Sequence, residues 1–145
     1  MGFGYNGLMD EFIRVIDLDL QREPQCSREA RSAIRAEIPE GPLRDSLEII
    51  ASELVTNAFV HGSGSIGCSI YRAHNSESRE QMYRIEVSND APEGELNIPT
   101  DRHVVDSEGG RGFGLVQSLS SEFGQDLSHT RLTVWAEITY QAESH

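Results

Sequence analysis

Hydrophobic positions along the chain follow two periods, and the switches between them mark the elements. Ile16, Leu18 and Leu20 alternate with Asp17 and Asp19, which predicts a strand with one face toward a core. After Ser27, a candidate N-cap, Ala30, Ala33, Ile34 and Ile38 share one face of a predicted helix over 27–38. Pro39, Gly41 and Pro42 punctuate the chain. Leu43, Leu47, Ile50, Leu54 and Ala58 then form the apolar stripe of a long helix ending near Gly62. Ile66, Cys68 and Ile70 predict a second strand, residues 74–80 a polar turn, and Tyr83, Ile85 and Val87 a third strand. Asn89 continues the inward phase of that third strand. Residues 91–110 carry Pro92, Gly94, Pro99, Gly109 and Gly110 and show no period; so long a stretch predicts a functional lid or an excursion from the fold. Leu115, Leu119 and Phe123 mark another helix, stopped at Gly124. Leu132, Val134, Ala136, Ile138 and Tyr140 form a last strand.

Strands outnumber crossover helices, and the final strands lack the regular alternation of a doubly wound fold. The expected class is α+β: a two-layer sandwich, with helices on one face of a mixed sheet. At 145 residues the chain reads as one domain over 12–140. An N-terminal arm over 1–11, with Gly2, Gly4 and Gly7, and a tail over 141–145 flank it. No stretch resembles a membrane span or a signal peptide, so the expectation is a cytoplasmic protein with no membrane partner.

Charge narrows the partners. Lys and Arg number 12 against 24 Asp and Glu, a net charge of -12, where a nucleic-acid surface needs a basic stripe. A polyphosphate remains possible if a divalent cation and local backbone dipoles offset the global field. Cys26 and Cys68 lack the spacing of a zinc site, and Cys68 falls within an apolar alternation, as a small buried hydrophobe would.

Two motifs carry candidate chemistry. Glu53-Leu54-Val55-Thr56-Asn57-Ala58 places a carboxylate and an amide four residues apart, roughly forty degrees apart around a helix axis. A Glu there can act as general base on a hydroxyl or water, and an Asn oxygen is a suitable hard ligand for magnesium. Taken alone, the pair reads first as a polar helix rim, with Glu53 solvated and Asn57 satisfying a local hydrogen bond. Gly110-Arg111-Gly112-Phe113-Gly114-Leu115 reads as a flexible loop running into a helix N-terminus, whose free N–H groups suit a phosphate. It is neither a Walker A loop, since no Lys-Ser or Lys-Thr follows, nor a Rossmann fingerprint. Arg111 reads equally as a phosphate contact or an exposed loop cation.

In order, Glu53-Leu-Val-Thr-Asn57-Ala-Phe-Val-His61-Gly62, Ile85-Glu-Val-Ser-Asn89-Asp90-Ala-Pro92 and Glu108-Gly-Gly-Arg-Gly-Phe-Gly-Leu-Val116 closely resemble the GHKL ATPases. Within that superfamily the resemblance is greatest to anti-sigma factor serine kinases and the short ATP-binding regulators of actinobacteria, and it covers roughly residues 12–138. The closing Thr133-Val-Trp135-Ala-Glu137-Ile fits as well. The resemblance implies a Bergerat-type ATP-binding fold with Mg2+ and ATP or ADP as ligands. Glu53 would be the base and Asn57 the magnesium ligand. Gly110, Arg111, Gly112 and Gly114 would line the phosphates, residues 92–109 would be the ATP lid, and Thr133 would help hold the nucleotide. The phase set by Leu132, Val134 and Ala136 points Thr133 the other way.

Such proteins typically carry Asp, then Gly two residues later, where this chain has Asn89 and Ala91. Alternation turns Asp90 outward, so it does not replace the missing carboxylate. The Asn89 oxygen can accept an adenine amino hydrogen without charge assistance, a loss of about 1 kcal/mol. Two functions stay open. One is a Mg-ATP-dependent serine kinase acting on an anti-sigma-factor antagonist, or binding a sigma factor, in transcription regulation. The other is a catalytically inactive partner-switching module that regulates by docking. Homodimerisation is a further expectation from the resemblance.

Overall fold

The computed structural model describes residues 11–75, 77, 80–90, 110–128 and 130–141. The expected lid at 92–109 lies outside them, as do Ala91, the arm up to residue 10 and the tail beyond Gln141. The elements run β1 (Ile13–Leu20), α1 (Cys26–Glu37), α2 (Pro42–His61), β2 (Ser63–His74), β3 (Glu80–Asp90), α3 (Gly110–Leu119), β4 (Glu122–Ser128) and β5 (Arg131–Gln141). Gln141, expected in the tail, closes β5.

The chain is α+β, with a five-stranded sheet in the order β1-β2-β3-β5-β4. Every neighbouring pair is antiparallel, where a mixed sheet was expected. The cause is topological. Two helices separate β1 from β2, so the chain reverses once more than in a single-helix crossover. β3 and β4 do run the same way across α3, but β5 lies between them and pairs with both.

One phase of the strands faces the helices. Ile16 and Leu20, Ile66, Cys68 and Ile70, Tyr83, Ile85 and Val87, and Ala136 and Ile138 form a single core with the buried faces of the helices. On α1 these are Cys26, Ala30 and Ile34; on α2, Leu47, Ile50, Ala51, Leu54, Val55 and Ala58, as the 3.6-residue period requires. Burial pushes the Cys68 thiol up to about 12, with Asp17 adding to the effect, so it serves as a core hydrophobe. α2 lies over β2 and β3 with α1 on one side of it and α3 on the other.

Two expected boundaries differ. Ser27 is not the N-cap of α1; that position is Gln25, which makes no side-chain cap. The Ser27 hydroxyl instead pairs with Thr56 Oγ1 at 2.8 Å, tying α1 to α2. Phe123 and Gly124 do not end a helix. α3 stops at Leu119, and both residues belong to β4. The strand wins because Gly124 lets the Trp135 indole lie against it; a Cβ there would sit 2.7 Å from Trp135 Cζ2. Ser121 holds the junction, its N–H donating to Glu137 O at 2.7 Å and its Oγ accepting from Thr139 N–H at 2.9 Å.

The face of the sheet away from the helices carries an ion pair that periodicity does not reveal. Arg84 Nη1 donates to Glu137 Oε2 at 2.6 Å, and Arg84 Nε donates to Glu86 Oε2 at 2.8 Å. Arg84 is 1% exposed and Glu137 0%, with Trp135 stacked 4.3 Å from the guanidinium.

Candidate functional site

α2 has three working faces. Positions 50, 54 and 58 enter the core. Positions 48, 52 and 56 meet α1: Arg35 pairs with Glu48 at 3.0 Å, Arg31 Nη1 donates to Ser52 Oγ at 2.7 Å, and Ser27 meets Thr56. The remaining flank, turned away from α1 toward the side where α3 packs, carries Glu53 and Asn57. Both are half-buried, and among the described residues neither makes a side-chain hydrogen bond. A polar rim residue is normally solvated or locally satisfied. Here the carboxylate and the amide stand on the same half-exposed flank with no side-chain partner among the described residues.

The C-terminal end of α2 brings in a third residue. Asn89 is 3% exposed and faces the helices, as its strand phase requires. Its amide lies directly against Gly62, the C-cap of α2, where a Cβ would come within 1.8 Å of Asn89 Nδ2. Gly62 is therefore demanded by close approach. Asn89 Nδ2 donates one hydrogen to the carbonyl of Asp90 at 2.6 Å, which orients the amide and leaves Oδ1 as an acceptor. Asp90 points the other way and holds Arg131 Nη1 at 2.9 Å. It also fills the space beside Gly64, which has φ 72. The inward Asn89 and outward Asp90 anticipated from alternation are both present.

The glycine run differs from expectation. Its backbone is already helical from Gly110, so Gly110, Arg111 and Gly112 form the first turn of α3 instead of a loop before it. The side chain of Arg111 lies outside the description. The first N–H groups of a helix lack intrahelical partners, so the donors expected of the motif belong to this turn. Gly114 is the informative member. Among the described residues beyond its own helix turn, no heavy atom lies within 4 Å of a Cβ built there, so none of them gives a steric reason for glycine. Glycine costs a helix interior about 1 kcal/mol relative to alanine. Close approach of a ligand is a reason that remains.

Thr133 is not brought to this site. It pairs with Ser88 and Asp126 across the sheet and lies in the opposite phase to Val134 and Ala136, on the face away from the helices. Arg22, in contrast, belongs here and was not anticipated. From the turn after β1 its Nη2 donates to the carbonyls of Phe59 and Gly62, and its Nη1 to Gly64 O at 3.4 Å. It thus satisfies carbonyls at the end of α2 while lying 5.8 Å from the Phe59 ring centroid. Nothing local to residue 22 signals this role, because its partners are 37 to 42 positions away.

No protein-family model matches the chain, and no curated protein is a significant match to it. Among the described residues, no helix is long and apolar enough to cross a membrane.

Proposed function

We propose that the chain is a Bergerat-type, GHKL-like regulator that binds Mg-ATP beside α2 and transfers phosphate to a serine of a partner, an anti-sigma-factor antagonist. The observation that carries this is the pairing of Glu53 and Asn57, without side-chain partners among the described residues, on the α3 side of α2, the helix against whose end Asn89 packs. The residue set fits magnesium. A magnesium ion would be held by the Asn57 oxygen, a hard neutral ligand, with phosphates and waters completing its shell.

Each residue has a separate task. The Asn89 Oδ1 accepts from an exocyclic amino group, which suits adenine. The N–H groups at the start of α3 donate to phosphate oxygens, aided by the positive end of the helix dipole. Glu53 accepts the hydrogen bond of an incoming serine hydroxyl and orients it for in-line transfer. Bound Mg-ATP supplies the phosphoryl group and the neutralising charge.

Asn89 favours a second reading. An amide in place of a carboxylate weakens base recognition, and a protein with that change can regulate by docking alone. Thermal unfolding with and without Mg-ATP separates the two. Ligand at about a hundredfold over its dissociation constant stabilises by roughly 2.7 kcal/mol. A magnesium-dependent shift that disappears in Asn57→Ala supports the nucleotide site. No shift at millimolar Mg-ATP leaves the docking module. If the shift is present, Glu53→Ala distinguishes a kinase from a binder: it keeps the shift and loses phosphotransfer.

A further inference from the structure

Away from Asn57 and Asn89, the opposite ends of β2, β3 and β5 and the start of α2 enclose an open cavity of about 900 Å3. Its floor is apolar and aromatic, with Ile38, Tyr83 and Ile138 all buried. Arg72 pairs with Tyr83 in the β2–β3 register, so it leaves the sheet on the same side and lines the cavity. It is exposed and, among the described residues, holds neither a hydrogen bond nor an ion pair. Arg14, Arg35, Arg44, Arg84 and Arg131 each have a carboxylate partner, Arg22 and Arg31 donate to uncharged oxygens, and Arg28 shares the exposed, unpartnered state of Arg72 but lies away from this cavity. Among the described lining residues the one carboxylate is Glu40, on the loop that precedes α2. The start of α2 forms another wall, where the positive end of the helix is partly offset by Asp45 in its first turn.

We propose that this cavity binds a small organic anion with an apolar body, an aromatic or short aliphatic carboxylate. Arg72 holds the carboxylate, and Tyr83 and Ile138 pack against the body. The volume lies within the range of small-molecule sites, and a single placed cation over an apolar floor is their usual chemistry. The assignment is independent of the nucleotide site.

Indoleacetate and its uncharged analogue indoleacetamide test it, titrated into the full chain and followed by amide NMR shifts. The expected result is a saturable shift at Arg72, Gln81, Tyr83 and Tyr140 with the acid. Binding is at least about tenfold weaker for the amide, and for the acid in Arg72→Gln, equivalent to about 1.4 kcal/mol. Ser46→Trp, which fills the cavity and leaves Arg72 in place, also blocks the acid. Absence of saturation with millimolar acid overturns the proposal. So do equal binding of acid and amide, indifference to Arg72→Gln, or shifts confined to the Asn57 and Asn89 end.

Discussion

Asn89→Asp puts in the residue that the GHKL resemblance leads one to expect, yet the geometry makes it a destabilising change. In the native protein Asn89 Nδ2 donates to Asp90 O at 2.6 Å from a site that is 3% exposed. A carboxylate has no hydrogen to donate, so the bond is lost, at about 1 kcal/mol net. The new oxygen also faces a carbonyl oxygen in a poorly solvated position, adding about 1–2 kcal/mol. The total of about 2–3 kcal/mol lowers the midpoint of a domain of this size by about 10 °C. The burden depends on pH, and its sign follows from linkage. Burial and the facing carbonyl raise the folded pKa of the introduced Asp above its unfolded value of about 3.9. The folded state then binds more protons, so the variant loses stability relative to wild type as pH rises through the folded pKa, and approaches wild type near pH 4. Thermal scans without nucleotide at neutral and acid pH measure both effects. With Mg-ATP, the carboxylate accepts the adenine amino group with charge assistance, and the ligand-induced shift is at least that of wild type. A variant as stable as wild type at neutral pH without nucleotide refutes the clamp on Asp90 and the orientation of Asn89 that follows from it.

Three further substitutions probe different parts of the structure. Gly114→Ala gains about 1 kcal/mol of helix stability, since its Cβ meets no other described residue, and it diminishes the Mg-ATP shift; thermal unfolding with and without ligand reads both. Arg22→Ala removes the donors to the end of α2 and costs about 2 kcal/mol. Its signature is faster amide exchange over 59–64, and unchanged exchange there contradicts the capping role. Glu137→Gln leaves the buried Arg84 guanidinium without its full partner and costs about 3 kcal/mol in a denaturant titration. A loss below about half that value means the pair is effectively solvated.

Much of the fold was legible because burial imposes a period. The stripe from Leu47 to Ala58 and the alternation from Tyr83 to Asn89 each point one way, and both elements formed as their patterns required. Boundaries were harder where a tertiary contact outweighed local pattern. Phe123 continues a helical spacing from Leu115 and Leu119, but pairing with β5 and the indole over Gly124 draw it into a strand. The antiparallel sheet was hidden for a similar reason, since the insertion of β5 between β3 and β4 leaves no local trace. At the candidate site, helix geometry sufficed to put Glu53 and Asn57 on one flank, and strand phase sufficed to separate Asn89 from Asp90. Arg22 could not be read in advance, because its role exists only once β1 and the end of α2 are adjacent. Nor could the Arg84 and Glu137 pair, whose residues look like outward-facing charges in an alternating strand.

The most direct test of the nucleotide site is an amide NMR titration of the full chain with Mg-ATP, following the side-chain amides of Asn57 and Asn89 with the backbone of 110–114. The account predicts saturable, magnesium-dependent shifts at all three places and little change at Tyr83 and Tyr140. Shifts that ignore Asn57 and Asn89, or no shift at millimolar Mg-ATP, would contradict it.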